Sequence, residues 1–508
     1  MKNAKINRLY TLDFLISILL VILGAFMAVL DTTVVDIIVP KLKGPLSTDM
    51  YGVQWVITAY MLSAAVALLI VEWVVKHYGY KWVYIISVAV FTIASFMCGI
   101  ANTLGFMIFA RTIQGFAEAF IMVTSQALLF SMFPPDKKGI AMGIFALGVA
   151  FAPAIGPTLG GYLTEYFGWR SVFFVNVPIG IFLVIFSIFL LEERAKKENY
   201  PLNFISVIFL SIFTLALLII LSKGQQYGWF KSEKIVFLSF IAWGGLLGFV
   251  ISEYFSKVKL FDYSLFKNPY YTLGILIYFI LLGFSMYQYF YLVPIYYEQI
   301  KALSSIDTGL GVLGFGIWIG IVSLIAGFLS DKYSPIPVLF IGAIVYLYSS
   351  YLFTTLDYYT PFFEAVIKTM PFGIAMGLFF APITTLVMQH AGKKIEQAIT
   401  TMDYVRFIGG SFGTAIATNN IIFYKDKEFD SMVILQNRDL VEELLHKLYY
   451  LLSDKAKAFF LKIEEFFSFC YGFKYVWMNA GFWGVVGASF VFMLLIIHLK
   501  GYYGKNSW

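Results

Sequence analysis

Runs of apolar residues long enough to cross the roughly 30 Å hydrocarbon core of a bilayer recur along the whole chain, and they restrict its fold more than any other feature. A helix satisfies its own backbone amides inside lipid, so these runs are expected to be membrane helices. About fourteen are expected, near 14–39, 53–75, 82–102, 105–132, 139–165, 171–191, 202–222, 235–256, 270–297, 305–330, 336–356, 361–389, 401–424 and 477–499. With 60% hydrophobic and 13% charged residues, the chain falls far from the soluble norm of about 25% charged. An all-α integral membrane protein is the fold class.

The first run is too long for a signal-peptide core and has no A-x-A cleavage site, so it is expected to remain as a span. Lysines and arginines fix the expected orientation. With the start of the chain in the cytoplasm, Lys76, Lys81, Lys137, Lys138, Lys332, Lys393 and Lys394 all lie inside, while the opposite short loops hold fewer basic residues. Both termini are then cytoplasmic. The net charge of +6 belongs mainly to cytoplasmic loops and gives no reason to invoke nucleic acid. Cys98 and Cys470 are too few for a disulfide framework, and nothing suggests a metal site.

Between Gly148 and Gly161 the chain reads GVAFAPAIGPTLGG, with Gly148, Ala152, Gly156 and Gly160 repeating every four residues. That spacing lines one helix face with small side chains, against which another backbone can pack closely. Pro153 and Pro157 each remove an amide donor and are expected to bend or loosen this helix. Taken alone, the pattern is also that of an ordinary tight helix crossing.

The whole string, including Pro153, Gly156, Pro157, Gly160 and Gly161, resembles the antiporter motif on the fifth helix of major facilitator drug exporters. Further matches run along the chain: LDTTVVDIIVP from Leu30, QWVITAYML from Gln54, RTIQG from Arg111, PPDKKGIAMG from Pro134, GWRSVFFVNVPIG from Gly168 and VRFIGGSFGTAIAT from Val405. Together they resemble the fourteen-span drug:proton antiporters of the major facilitator superfamily, most closely the EmrB type. Asp36 stands where that family usually has asparagine.

GFLSDKYS, from Gly327 through Asp331 to Ser334, resembles the family's cytoplasmic loop motif, and EWVVKHYGYK occupies the matching place about 255 residues earlier. Two such loops point to parallel six-helix halves. The first copy departs from the pattern: Glu72 replaces the glycine and Lys76 the aspartate, while Gly79 fits. Glu72 and Lys76 are an i,i+4 pair able to replace that contact locally, which puts the loop's gating role in doubt. The expected organisation is therefore an N-terminal bundle over 1–195, two additional helices over 196–260, and a C-terminal bundle over 261–508. The last includes an amphipathic insertion at about 425–475 on the outer face, read as a cap on the membrane surface or a docking site for a periplasmic partner.

A charge in hydrocarbon costs several kcal/mol unless it is paired or hydrated. Asp31, about two-thirds of the way across the first span, and Arg111, about 9 Å into the fourth, reach similar depths. The resemblance assigns both to proton coupling. Arg111, Gln114, Gly115 and Glu118 share one helix face, which must turn inward. Near the midplane, Glu118 is suited either to carrying a proton or to a structural hydrogen bond. Asp36 lies about 140° around the helix from Asp31 and nearer water, where a different task is expected. Tyr60, Tyr287, Tyr289 and Phe290 are candidates for lining an apolar substrate pocket. Glu364 and Lys368 read as a buried pair locking helices, and Asp403 and Arg406 as snorkelling or gating groups.

The expected function is secondary export of hydrophobic or amphipathic compounds in exchange for protons, by rocking of the two halves. A dedicated exporter of one metabolite or lipid is the alternative. No GxxxxGK[ST] loop, HExxH or GxSxG occurs, and His77, His390, His446 and His498 are scattered, so neither an ATP-driven pump nor a membrane enzyme is indicated. No cofactor is called for; the proton gradient supplies the energy. The resemblance further implies a bacterial inner-membrane location and, in double-membraned bacteria, a periplasmic adaptor of EmrA type with an outer-membrane channel of TolC type.

Overall fold

The computed structural model describes residues 12–38, 42–48, 50–193, 201–392, 394–436 and 454–505, and among these residues it is helical, with no strand. Long helices stand at all the expected runs. They are α1 (Leu12–Ile38), α2 (Met50–Tyr78), α3 (Tyr80–Ile100), α4 (Leu104–Met132), α5 (Lys138–Phe167), α6 (Asn176–Leu190) and α7 (Phe204–Tyr227). There follow α8 (Glu233–Phe255), α9 (Pro269–Ile300), α10 (Ser305–Lys332), α11 (Pro335–Phe353), α12 (Phe362–His390), α13 (Ile395–Gln436) and α14 (Asp454–Lys505). Twelve helices among the described residues are long and apolar enough to cross a membrane by length and composition. The other two long helices, α5 and α13, have 30 and 42 residues and stand where the two halves meet. In α13, glycine and polar residues dilute the apolar character.

Helix starts follow local chemistry. Thr103 and Ser304 accept the amides of Phe106 and Asp307 at 3.3 and 3.1 Å, and Asn268 caps α9 beside Pro269 at 2.9 Å. α9 alternates between α-helical and π-helical turns, and α12 continues through Pro371 and Pro382. α5 likewise continues through Pro153 and Pro157.

Within the first six helices, α1 packs on α4, α5 and α6, α3 on α4 and α6, and α2 on α4. Among the last six, α9 packs on α12, α13 and α14, and α12 on α10 and α11. The two groups meet along two seams. In one, α5 lies against α10 and α12; in the other, α13 lies against α2 and α4. Of the accessory helices, α7 touches both α2 and α13, while α8 packs on α7 and turns Phe237, Phe240, Trp243 and Tyr254 outward, as a lipid-facing helix does.

The insertion does not form a flat cap in its described parts. α13 runs on to Gln436 and α14 begins at Asp454, so the two spans extend as one antiparallel pair. Lys425 pairs with Glu465, and Tyr424 stacks on Tyr475 with ring centroids 5.2 Å apart. The backbones come close at Gly472, where a Cβ would stand 2.9 Å from the Lys425 amide nitrogen. These contacts hold the chain helical where a separate surface helix was expected. Residues 437–453 lie outside the described residues.

Candidate functional site

Asp31 and Arg111 meet at 2.5 Å, with side chains 0% and 1% exposed. The expected agreement in depth is thus realised as a dry ion pair. Arg111 also donates from Nη1 to Gln114 Oε1 at 2.7 Å and from Nε to the Val56 carbonyl at 3.2 Å. Its guanidinium lies 4.2 Å from the centroid of the Tyr60 ring. Asp31 Oδ1 accepts from Gln114 Nε2 at 2.9 Å and from Asn176 Nδ2 at 2.7 Å. Ser95 Oγ completes the network, accepting from Gln114 at 2.6 Å and from Asn176 at 3.3 Å.

Five helices of the first half are therefore joined in one network around this carboxylate, α4 and α6 bonding it directly and α2 and α3 through Arg111, Gln114 and Asn176. A buried pair survives only when its remaining hydrogen-bonding capacity is met, and removing one partner costs about 3–5 kcal/mol. Asn176, Ser95 and the Val56 carbonyl escaped the reading of the sequence. Asn176 left a signal, as the lone polar residue in VFFVNVPIG; Ser95 looks like any small helical residue, and a backbone carbonyl leaves no sequence trace.

Gly115 lets α4 approach α2, since a Cβ there would stand 2.6 Å from Ser63 Oγ. One turn further, Glu118 is partly buried and, among the described residues, no hydrogen bond or ion pair holds its carboxylate. Its role as a structural hydrogen-bond acceptor finds no partner here. The charges acting on it, strongest first, are Arg406, Asp403, Asp31 and Arg111. Two of these come from the opposite half.

Arg406 is no snorkelling residue. Its side chain is 16% exposed; Nη1 donates to Tyr287 Oη at 2.7 Å and Nη2 to Asp403 at 3.3 Å. Tyr287 thus belongs to a polar cluster, whereas Tyr289 is fully buried, in a cluster of stacked rings with Phe353 and Trp477 at centroid distances of 4.5 and 5.5 Å. Tyr289 serves the aromatic core of the second half, and Tyr60 covers Arg111; neither lines open space. Glu364 and Lys368 do pair, at 2.8 Å, but with side chains 50% and 21% exposed they lie at the surface of one helix and lock nothing in the interior. The side chains of Asp36, Pro153 and Pro157 lie outside the described residues.

The small-residue stripe of α5 faces α1, the helix that carries Asp31. A Cβ at Gly156 would stand 2.8 Å from Thr33 Cβ, and one at Gly160 would stand 2.8 Å from Val34 Cγ1. Thr33 Oγ1 donates to the Ala152 carbonyl at 3.4 Å. Other glycines of α5 face α10: a Cβ at Gly143 would stand 2.6 Å from the Ser323 carbonyl oxygen.

At the end of the bundle where α1 begins, the two loop motifs behave differently. Asp331 accepts the amides of Gly139 and Ile140 at 2.6 and 2.9 Å, so it caps the start of α5 across the seam. Gly327 lies against Gly139, with a Cβ only 2.8 Å from the Gly139 carbonyl carbon. In the first copy Lys76 turns back to Glu72 at 2.6 Å. Gly79 has φ +89°, and a Cβ there would meet the Glu193 carboxylate, which accepts the Tyr80 amide at 3.0 Å.

Comparison with known proteins fits this geometry. Residues 21–414 match the Major Facilitator Superfamily. The multidrug export protein EmrB of Haemophilus influenzae is 29% identical over 400 residues, 78% of each chain. The multidrug transporter protein MdtP of Bacillus subtilis is 31% identical over 398 residues, 77% of this chain and 72% of that one. The fatty acid resistance protein FarB of Neisseria gonorrhoeae is 29% identical over 401 residues, 78% of each chain. Among solved structures, the proton:xylose symporter XylE shares the fold, with a TM-score of 0.58 over 95% of this chain and 96% of that chain at 14% identity. A helical bundle of two halves, a loop motif capping one half from the other, and these matches lead to one conclusion: the chain belongs to the major facilitator superfamily and is a multi-pass membrane transporter, not an enzyme.

Proposed function

We propose that the protein is a proton-coupled exporter that extrudes hydrophobic or amphipathic compounds across the bacterial inner membrane by alternating access, with both termini in the cytoplasm. The observation that carries the reading is the dry Asp31–Arg111 pair in a transporter whose relatives include multidrug export proteins. Protonating Asp31 leaves Arg111 without its neutralising partner in a site that water does not reach. An unpaired buried charge costs several kcal/mol, enough to favour a different arrangement of the surrounding helices. Asn176, Gln114 and Ser95 hold the carboxylate in place, and the α5 stripe transmits movement of α1 to the seam. Glu118 is the second proton-carrying group, one that faces the other half.

A periplasmic adaptor of EmrA type and an outer-membrane channel of TolC type would complete the export path in a double-membraned cell. The described extension of α13 and α14 beyond the bundle supports such a partnership. Export of one lipid-like metabolite is the second reading, favoured by the match to a protein named for fatty acid resistance.

The test is efflux of a fluorescent amphipathic dye from inverted vesicles under an imposed pH gradient. Asp31→Asn, if monodisperse, is expected to lose at least tenfold in gradient-driven flux; full retention overturns the coupling role. Dye flux absent in the parent protein, with a fatty acid moved instead, selects the second reading.

A further inference from the structure

We infer that Arg406 on α13 is the counter-charge of Glu118 on α4, and that a proton on Glu118 competes with an ion pair formed between the two halves. Arg111 is closer in sequence but already committed: Nε holds the Val56 carbonyl and Nη1 holds Asp31 and Gln114. Glu118 has no hydrogen bond among the described residues, although α4 and α13 pack together across the seam.

Arg406 has the complementary vacancy. Its Nε is buried and has no partner, and a buried donor left unmade costs about 1–3 kcal/mol. Its contact to Asp403, at 3.3 Å, is long for a charge-assisted bond, which runs to about 2.7–2.9 Å. Arg406 bonds Tyr287 from α9 and Asp403 from its own helix, and the further groups whose charges act on it are Tyr278 from α9 and Glu118 from the opposite half. The groups whose charges act on Glu118 are Arg406 and Asp403 from α13, Asp31 from α1 and Arg111 from α4, and the Tyr60 hydroxyl of α2 feels Glu118 in turn. Among the described residues Glu118 is the one carboxylate in this set without a bonded partner, and Arg406 Nε is a buried guanidinium donor without an acceptor.

Position favours the same pairing. The α13 backbone at Arg406 is fixed against α9, since a Cβ at Gly283 would stand 3.1 Å from the Arg406 carbonyl oxygen. Arg406 is therefore carried with the second half, and rocking of the halves changes its distance from Glu118. When Glu118 releases its proton, the carboxylate accepts Arg406 Nε–H and draws α4 toward α13. When the proton returns, that bond is lost and the halves separate at this level. Arg406 is a positioning residue for proton coupling.

This inference rests on the export reading only in naming a proton as the competitor, and its test contains no substrate. The full chain with Cys470→Ser, Tyr166→Cys and Tyr359→Cys is spin-labelled in lipid nanodiscs, and the distance between labels is measured by double electron–electron resonance from pH 5.5 to 8.5. Tyr166 and Tyr359 are exposed on opposite halves, and Cys98 is fully buried. The expected result is a pH-dependent distance shift in the parent that is lost in Glu118→Gln and in Arg406→Gln, no further change in the double variant, and retention of at least half the shift in Arg406→Lys. No shift in the parent, a full shift in Arg406→Gln, additive losses in the double variant, or complete loss in Arg406→Lys overturns it. If Arg406→Gln does not fold, Arg406→Lys is compared in the Glu118→Gln background, where any further change overturns the pairing. Lost dye export with an intact distance response rejects the export reading alone.

Discussion

The seam between α5 and α10 and its counterpart between α2 and α13 occupy equivalent places in the two-half design, yet they are held by different means. The first is direct. Glycines bring the backbones together at Gly139, Gly143 and Gly327, and Asp331 reaches across to cap α5. The second is mediated by parts that a twelve-helix design lacks. Lys76 stays with Glu72 on its own helix, while the start of α13 is tied to the linker after α8: Lys394 pairs with Asp262, and Gln397 donates to the Leu260 carbonyl at 3.3 Å. α7 fills the side of this seam, where Thr214 and Tyr404 hydroxyls meet at 2.6 Å and Leu218 packs with Leu62 and Ala65. Losing the loop aspartate on one side thus coincides with accessory helices bracing that same side.

Changes to the direct seam should therefore be felt most. Gly327→Leu places a side chain where the Gly139 backbone already lies; overpacking of this kind costs about 1–3 kcal/mol, and a large drop in the melting temperature of the purified protein is expected. A melting temperature within error of the parent would mean that the seam yields freely.

Next in size, Asp331→Ala removes a cap across the seam, worth roughly 0.5–2 kcal/mol, whereas Lys76→Ala removes an i,i+4 pair worth about 0.3–0.5 kcal/mol. Thermal unfolding of both variants under one condition tests the asymmetry. Equal destabilisation would remove the distinction between the loops.

The smallest effect is expected at the linker. Burial raises the Asp262 carboxyl somewhat, but hydrogen bonds from Lys394 and Ser264 outweigh it and hold it down at about 2. Because its folded value lies below the ordinary aspartate value of about 3.9, its stabilisation is complete above about pH 4 and is lost only as pH falls toward 2. For a pair this exposed the contribution is at most about 1 kcal/mol. Asp262→Asn should therefore lower the melting temperature slightly and equally at pH 6 and pH 8. A penalty that differs between those values would show the tie to be part of a pH-responsive device.

The sequence by itself determined the membrane helices, because about twenty apolar residues in a row have one solution in lipid and the criterion is local. It also placed Asp31 and Arg111 at one depth and put Gln114 and Glu118 on one face, since helical rise and periodicity are fixed. Its boundaries failed at α13 and α14, where contacts between the two helices, such as Lys425 with Glu465, carry helix well beyond the apolar run. Tertiary structure alone decided which partners each charge found. Asn176 comes to Asp31 from a helix about 145 residues away, Ser95 joins the same network through Gln114 and Asn176, and Arg406 finds Tyr287 on another helix of the second half. Glu364 and Lys368 satisfied the same rule of spacing as the functional groups and ended at the surface. Helical periodicity tells which side chains share a face; only packing tells what that face meets.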